Sequence, residues 1–408
     1  MTRTVKSPAA QMLKSMYNPP LSWLLIAVPV AFVMRYVPAL RNEPILFIVS
    51  CLGVVPLAGW MGTATEQLAE RVGAGLGGLL NATFGNAAEL IISLMALSKG
   101  LTGVVKASIT GSIIGNVLLV LGASALAGGI RFPTQRFNKT AASVVATAMS
   151  LAAIGLIIPT VFHITADTRP GGWSPQAEQH LSLGIAIVLF LTYGASLLFS
   201  LITHRELFSG THPSDHNAPA EAIAEEETSH PAEGSLGSAL FLLALSTGLI
   251  VFLSEFLVGS LEAARTSLGL SETFVGVIVV AMVGNAAEHS TAIVTALKNK
   301  MDLSIAISLG SSMQIALFVT PVLIFASYAF GTPLNLEFSL PEVVAIGVSI
   351  WIAQQISSDG ESNWLEGVQL LSVYLIIAIL FFFLPEPAHH AETANPVKAA
   401  VETAISHP

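Results

Sequence analysis

Apolar stretches of roughly twenty residues, the length that crosses a hydrocarbon core, recur along nearly the whole of this 408-residue chain. That recurrence fixes the solvent as lipid. Only 11% of the residues are charged, against about 25% in a typical soluble domain. With no water to satisfy main-chain groups, uninterrupted apolar runs fold as helices. Spans are predicted near 21–38, 44–62, 72–98, 102–130, 140–163, 180–203, 236–258, 273–297, 302–330, 338–355 and 365–385.

The first run, Leu21 to Pro38, is longer than a signal-peptide core and shows no clear small-residue cleavage site, so it reads as a retained helix. Cys51 is the sole cysteine, which rules out an intramolecular disulfide and a thiolate cluster. The net charge of -9 gathers in a polar segment, His204 to Ser235, and in the tail after Leu384. Acidic segments of this kind are solvated and argue against nucleic-acid partners.

Within the apolar body one pentapeptide is duplicated. Gly85-Asn86-Ala87-Ala88-Glu89 returns 199 residues on as Gly284-Asn285-Ala286-Ala287-Glu288. The same offset relates Lys99 to Lys298 and Gly111-Ser112 to Gly310-Ser311, so a whole unit is repeated. Five spans separate the matching helices, and an odd number turns the second copy upside down, as in many secondary transporters. The expected fold is therefore an all-α integral membrane protein of about 11 transmembrane helices, one N-terminal helix plus two inverted five-helix repeats. Its divisions are 1–43 (tail and first helix), 44–203 (first repeat), 204–235 (acidic cytoplasmic linker), 236–385 (second repeat) and 386–408 (disordered tail). With a cytoplasmic N-terminus, ten of the 17 Lys and Arg fall on the cytoplasmic side and seven opposite, a modest positive-inside bias.

An ionised carboxylate at the bilayer centre costs about 2.5–3.5 kcal/mol even on permissive scales, so Glu89 and Glu288 are functional candidates. Asn86 and Asn285, three residues earlier, share a helix face with them. Glycine is dense before each glutamate, at Gly73, Gly75, Gly77, Gly78 and Gly85, and at Gly276 and Gly284. Such runs let a helix break and free carbonyls to join the side-chain oxygens, the hard ligand set that Ca2+ takes in sixes to eights. Ser112, Asn116, Ser311, Ser312 and Gln314 on the following helices could add oxygens or serve as interhelical polar contacts. His289 is either a proton relay or a hydrogen-bonded core imidazole.

GNAAELI at 85–91, GSIIGNVLLVLG at 111–122, GNAAEHS at 284–290 and GSSMQIALFVTP at 310–321 resemble the signature repeats of the cation/proton exchanger branch of the calcium/cation antiporter superfamily. The resemblance implies that Glu89 and Glu288 are shared cation and proton ligands lined by Gly85, Asn86, Gly284 and Asn285. It places Gln314 near the ion, although its offset counterpart is Gly115, with Asn116 adjacent. It also makes Glu255 a candidate carboxylate of the ion pathway, with a headgroup-facing position as the alternative. The run Glu225 to Glu227 resembles an acidic linker helix with a Ca2+-responsive role, or is a solvated charge run.

The function expected is secondary exchange of Ca2+ for H+ by alternating access at two midplane glutamates. Na+ exchange or Mn2+ transport on the same scaffold, and a cation channel, are the alternatives. No enzyme is expected: the chain contains neither a GxxxxGK[ST] run nor an HExxH pair. No cofactor is implied beyond the transported Ca2+ and H+. The lipid bilayer is the partner, and homo-oligomerisation is left open. The expected location is a bacterial-type cytoplasmic (inner) membrane, or a vacuole-type membrane in a eukaryotic cell.

Overall fold

A computed structural model describes residues 22–72, 74–167, 172, 174–208 and 235–385. The acidic run Glu225 to Glu227, most of the linker and both terminal tails lie outside the described residues. In chain order the helices are α1 (Ser22–Tyr36), α2 (Glu43–Val72), α3 (Ala74–Phe84), α4 (Ala87–Ser98), α5 (Thr102–Arg131), α6 (Lys139–Ala166) and α7 (Pro175–Thr203). After the linker come α8 (Leu236–Leu268), α9 (Glu272–Gly284), α10 (Ala286–Leu297), α11 (Met301–Ala329), α12 (Leu340–Ile356) and α13 (Trp364–Phe383).

The chain is a multi-pass membrane protein. Among the described residues, seven helices are long and apolar enough to cross a membrane, and the bent pair α9–α10 makes an eighth if it is one span. Helices α2 and α8 run to Val72 and Leu268, each about three turns beyond the ends expected at 62 and 258. Their final turns, with Glu66, Glu70 and Arg71 on α2 and Glu262 and Arg265 on α8, are too polar to read as span. They nevertheless favour helix, and Arg265 and Glu262 pair three residues apart.

Close crossings hold the centre together. Helices α5 and α9 meet backbone to backbone: a Cβ on Gly111 would stand 2.0 Å from the Val277 carbonyl oxygen, and one on Gly276 would stand 2.4 Å from the Ala107 Cβ. Only glycine permits that approach. At one end a two-residue antiparallel ladder, β1 (Gln135–Arg136) with β2 (Glu361–Ser362), ties the α5–α6 loop to the α12–α13 loop. The same loop caps the end of α10, where buried Gln135 donates to the Ala296 carbonyl at 2.8 Å and Arg131 to the Leu297 carbonyl at 3.2 Å.

At the opposite end an extended strap joins α11 to α12. Its alternate residues Leu334, Leu336 and Phe338 are buried. Side chains from four helices bind its intervening polar groups. Ser327, Ser182 and Thr160 accept from the N–H groups of Leu334, Leu336 and Phe338 at 2.8, 2.9 and 2.9 Å. Lys106 donates to Asn335 Oδ1 and to the Glu337 carbonyl, both at 2.5 Å. Strap peptide groups that would otherwise lack partners are thus satisfied by hydroxyls.

Candidate functional site

The helix breaks bring the duplicated residues of the two halves together. Helix α3 ends at Phe84 and α4 starts at Ala87, while α9 and α10 bend by 62° at Asn285. Asn86 (φ -100°, ψ 22°) and Asn285 (φ -92°, ψ 3°) occupy the positions before α4 and α10. Asparagine there ordinarily turns its side chain back to cap its own helix. Neither does so; both reach across to the other half of the chain.

The crossing bonds are reciprocal. Ser311 donates to Asn86 Oδ1 at 2.9 Å, and Asn285 Nδ2 donates to Ser112 at 2.9 Å. Asn86 Nδ2 donates to Gln314 Oε1 at 2.5 Å, whereas Asn116 Nδ2 bridges Asn285 Oδ1 at 3.1 Å and Ser311 at 3.0 Å. Gln314 and Asn116 therefore take matching places, although the 199-residue offset pairs Gln314 with Gly115. The one-residue slip coincides with π-helical turns, Gly115–Val120 in α5 and Ile315–Val319 in α11, which insert residues into the helical count. Ser312 instead donates to the Ile113 and Ser308 carbonyls at 3.3 and 3.2 Å, and so acts as a helix-crossing contact.

Glu89 and Glu288 lie in the first turns of α4 and α10, close enough for their charges to act on each other. Each also lies against the glycine of the opposite break. A Cβ on Gly284 would stand 2.8 Å from Glu89 Cγ, and one on Gly85 would stand 3.7 Å from Glu288 Oε1. Glu89 is only 4% exposed. Both its carboxylate oxygens, together with Glu288 Oε2 and Asn116 Oδ1, are buried without a side-chain hydrogen-bond partner among the described residues. The Glu89 main-chain N–H and the Ser311 hydroxyl lie close to the two carboxylates. Buried acceptors are nearly always satisfied, so a cluster of open ones marks a place for a proton or a cation.

A cavity of about 450 Å³ leads to one side of this cluster. Glu288, Gln314 and Ser311 line it together with Thr63 and Glu66 from the later turns of α2 and Leu303 from the first turn of α11. Glu89 does not line it. Glu66 was not marked by the sequence, because it falls in the polar end of α2 beyond the apolar window; its one signal is a carboxylate a single turn before Glu70 on a helix flanking the site.

Two predicted residues stand apart. His289 faces a small crevice with Gly111, Asn285 and Tyr374, away from the cavity. Glu255 is exposed on α8, where its main-chain carbonyl accepts from Lys99 at 3.3 Å. Among the described residues no three His, Cys, Asp or Glu side chains gather as a resident metal cluster.

The profile of the sodium/calcium exchanger protein family matches residues 43–202 and 238–383, which spans both helix breaks. The chain belongs to this family. Its relatives place it in the cation/proton-exchanging branch. The chain is 46% identical over 363 residues to a Ca(2+)/H(+) antiporter of Aphanothece halophytica, covering 89% of this chain and 96% of the relative. It is 45% identical to the Ca(2+)/H(+) antiporter ChaA of Bacillus subtilis, with 83% and 92% covered. The solved structure of native YfkE superposes with a TM-score of 0.75 at 39% identity, covering 90% of this exchanger-family chain and all of that one. The H+/Ca2+ exchanger CAX shares the fold at a TM-score of 0.65 and 12% identity, with 92% and 93% covered.

Proposed function

We propose that this chain exchanges Ca2+ for protons by alternating access, with Glu89 and Glu288 as the shared ligands near the bilayer midplane. The observation that carries the reading is the meeting of two carboxylates from matched helix breaks, with buried oxygens left open. The relatives named as Ca(2+)/H(+) antiporters supply the ion pair.

Each of α4 and α10 begins at the site, so its positive end favours the glutamates in the first turn. Together the two ionised carboxylates carry the charge of one divalent cation. Protonation removes that charge and occupies the same oxygens, so each ion excludes the other without ATP. Asn86, Asn285, Gln314 and Asn116 would contribute amide oxygens, and their interlocked bonds hold those groups in place. Gly85 and Gly284 would let each carboxylate reach the opposite break.

The reciprocity of the Asn86–Ser311 and Asn285–Ser112 bonds supports two inverted five-helix repeats. In that arrangement α1, α12 and the α3–α4 pair also cross, completing eleven spans. One domain then covers 44–203 and the other 236–385. The cavity lined by Glu288 reaches the later turns of α2 and the first turn of α11, which supports access from the end carrying Arg71, Lys298 and Lys300. In the proposed orientation that open end is cytoplasmic. The test is Ca2+ uptake into everted vesicles driven by an imposed proton gradient. Uptake is expected to be independent of Na+ and to vanish in both Glu89→Gln and Glu288→Gln proteins that insert normally. Normal uptake by either variant removes that residue from the site.

A further inference from the structure

The cavity beside the ion site carries a second carboxylate, which the exchange scheme does not use. Glu66 lines it from the later turns of α2, three residues after Thr63 and so on the same helix face. Glu66 is exposed and makes no hydrogen bond or ion pair among the described residues. Glu288 lines the same cavity, and its Oε2 is buried without a hydrogen-bond partner there. An ion arriving from water therefore meets the exposed carboxylate before the buried one.

The rest of the lining suits a cation. Among the described residues that form it there is no Lys, Arg or His, and Val55, Ala58 and Ile307 give it apolar walls. Thr63 and Thr291 donate their hydroxyl protons to the Gly59 and Ala287 carbonyls, both at 3.0 Å, so each keeps lone pairs for a cation. Carboxylates between low-dielectric walls focus their field and concentrate counter-ions in the cleft. Hydroxyl, amide and carboxylate oxygens are also the hard ligands that Ca2+ takes. The sequence repeat does not reproduce this arrangement. In the other half, 199 residues beyond Glu66, stands Arg265, whose Nη2 donates to Glu262 Oε1 at 2.8 Å.

We propose that Glu66 is a collecting carboxylate: it draws divalent cations into the cavity and passes them to Glu288, without being a ligand of the central site. The inference rests on the exchange reading above and adds a residue to it. Because the counterpart position holds an arginine already paired with a glutamate, the collecting charge acts from one face of the membrane only, the cytoplasmic face in the proposed orientation. It lowers the KM for Ca2+ on that face and leaves the maximal rate, which depends on Glu89 and Glu288, unchanged.

The experiment measures Ca2+-dependent proton flux against Ca2+ concentration, with the full-length protein in everted and in right-side-out vesicles, at low and at high choline chloride. In everted vesicles at low salt Glu66→Gln is expected to raise the KM for Ca2+ about fivefold, the effect of one exposed charge, with the maximal rate unchanged. High salt should shrink the difference, because the screening length falls from about 30 Å at 0.01 M to about 3 Å at 1 M. Right-side-out vesicles should show no difference, and Glu66→Asp should restore the wild-type KM. Glu70→Gln removes the same charge from α2 at a position outside the cavity lining, and should leave the KM near wild type. An unchanged KM in Glu66→Gln on both faces overturns the proposal. So does an equal shift on both faces, an equal shift in Glu70→Gln, or a lost maximal rate in inserted Glu66→Gln protein, which would make Glu66 part of the central site. Absence of Ca2+-driven proton flux from the wild-type protein instead overturns the exchange reading itself, and this inference with it.

Discussion

Replacing Gly284 by alanine is the sharpest test of how the two halves interlock. The new Cβ would lie 2.8 Å from Glu89 Cγ and 3.4 Å from its Cδ. Carbon atoms rest at about 3.5–4.0 Å, so the first contact is short by roughly 0.7–1.2 Å. Cγ is not the free end of the side chain, so relief requires either a new χ1 rotamer for a buried carboxylate or a parting of α4 and α9. Overpacking of this kind costs about 1–3 kcal/mol. If the strain falls on the cation-bound form, Ca2+ affinity drops by roughly 5- to 150-fold. Gly310→Ala is the matched control: it meets nothing within 4 Å inside α11, and the added Cβ should favour helix by about 0.5–1 kcal/mol. The assay is Ca2+-dependent proton flux in proteoliposomes as a function of Ca2+, with thermal unfolding in detergent alongside. Gly284→Ala is expected to raise the KM for Ca2+ while Gly310→Ala leaves it unchanged and raises the Tm. A wild-type KM in inserted, folded Gly284→Ala protein would refute the packing of Glu89 against the opposite break.

Asn285→Leu removes bonds to Ser112, Asn116 and the Ala281 carbonyl. It is expected to lower stability by several kcal/mol, at about 1 kcal/mol per lost bond plus the cost of stranded partners, read as a fall in Tm. Lys106→Met releases Asn335 and Glu337, and should cost roughly 1.5–3 kcal/mol and raise hydrogen exchange in residues 332–338 without changing exchange elsewhere in α11. His289→Gln should keep Ca2+-driven proton flux within a fewfold of wild type, because the imidazole lies outside the cavity.

The duplicated GNAAE run carried much of what was legible in the sequence, since glycine, asparagine and glutamate repeated inside apolar helices announce both the breaks and the residues at them. The one-residue slip between Gln314 and Asn116 was not legible. It depends on where π-helical turns enter α5 and α11, which no side-chain pattern declares. Glu66 escaped notice because hydropathy ends α2 about ten residues early. Gly100 and Asn299 show a similar limit. They hold equivalent left-handed turns, at φ 74° and 60°, yet Asn299 also accepts from Gln135 at 3.1 Å, a role visible only once the loops meet. Glu255 was ambiguous in sequence because a carboxylate on a long membrane helix can face either way.

The most direct measurement of the central claim is a voltage-clamped proteoliposome experiment at zero pH difference, with a Ca2+ gradient imposed, no Na+ present, and internal pH followed by a trapped dye. An exchanger using Glu89 and Glu288 as common ligands must drive protons against the Ca2+ flux, so the lumen should change pH in proportion to Ca2+ movement, and the change should disappear in both glutamine variants. Ca2+ movement from active, correctly oriented protein with no accompanying proton flux would contradict the account and leave a channel or a sodium-coupled exchanger in its place.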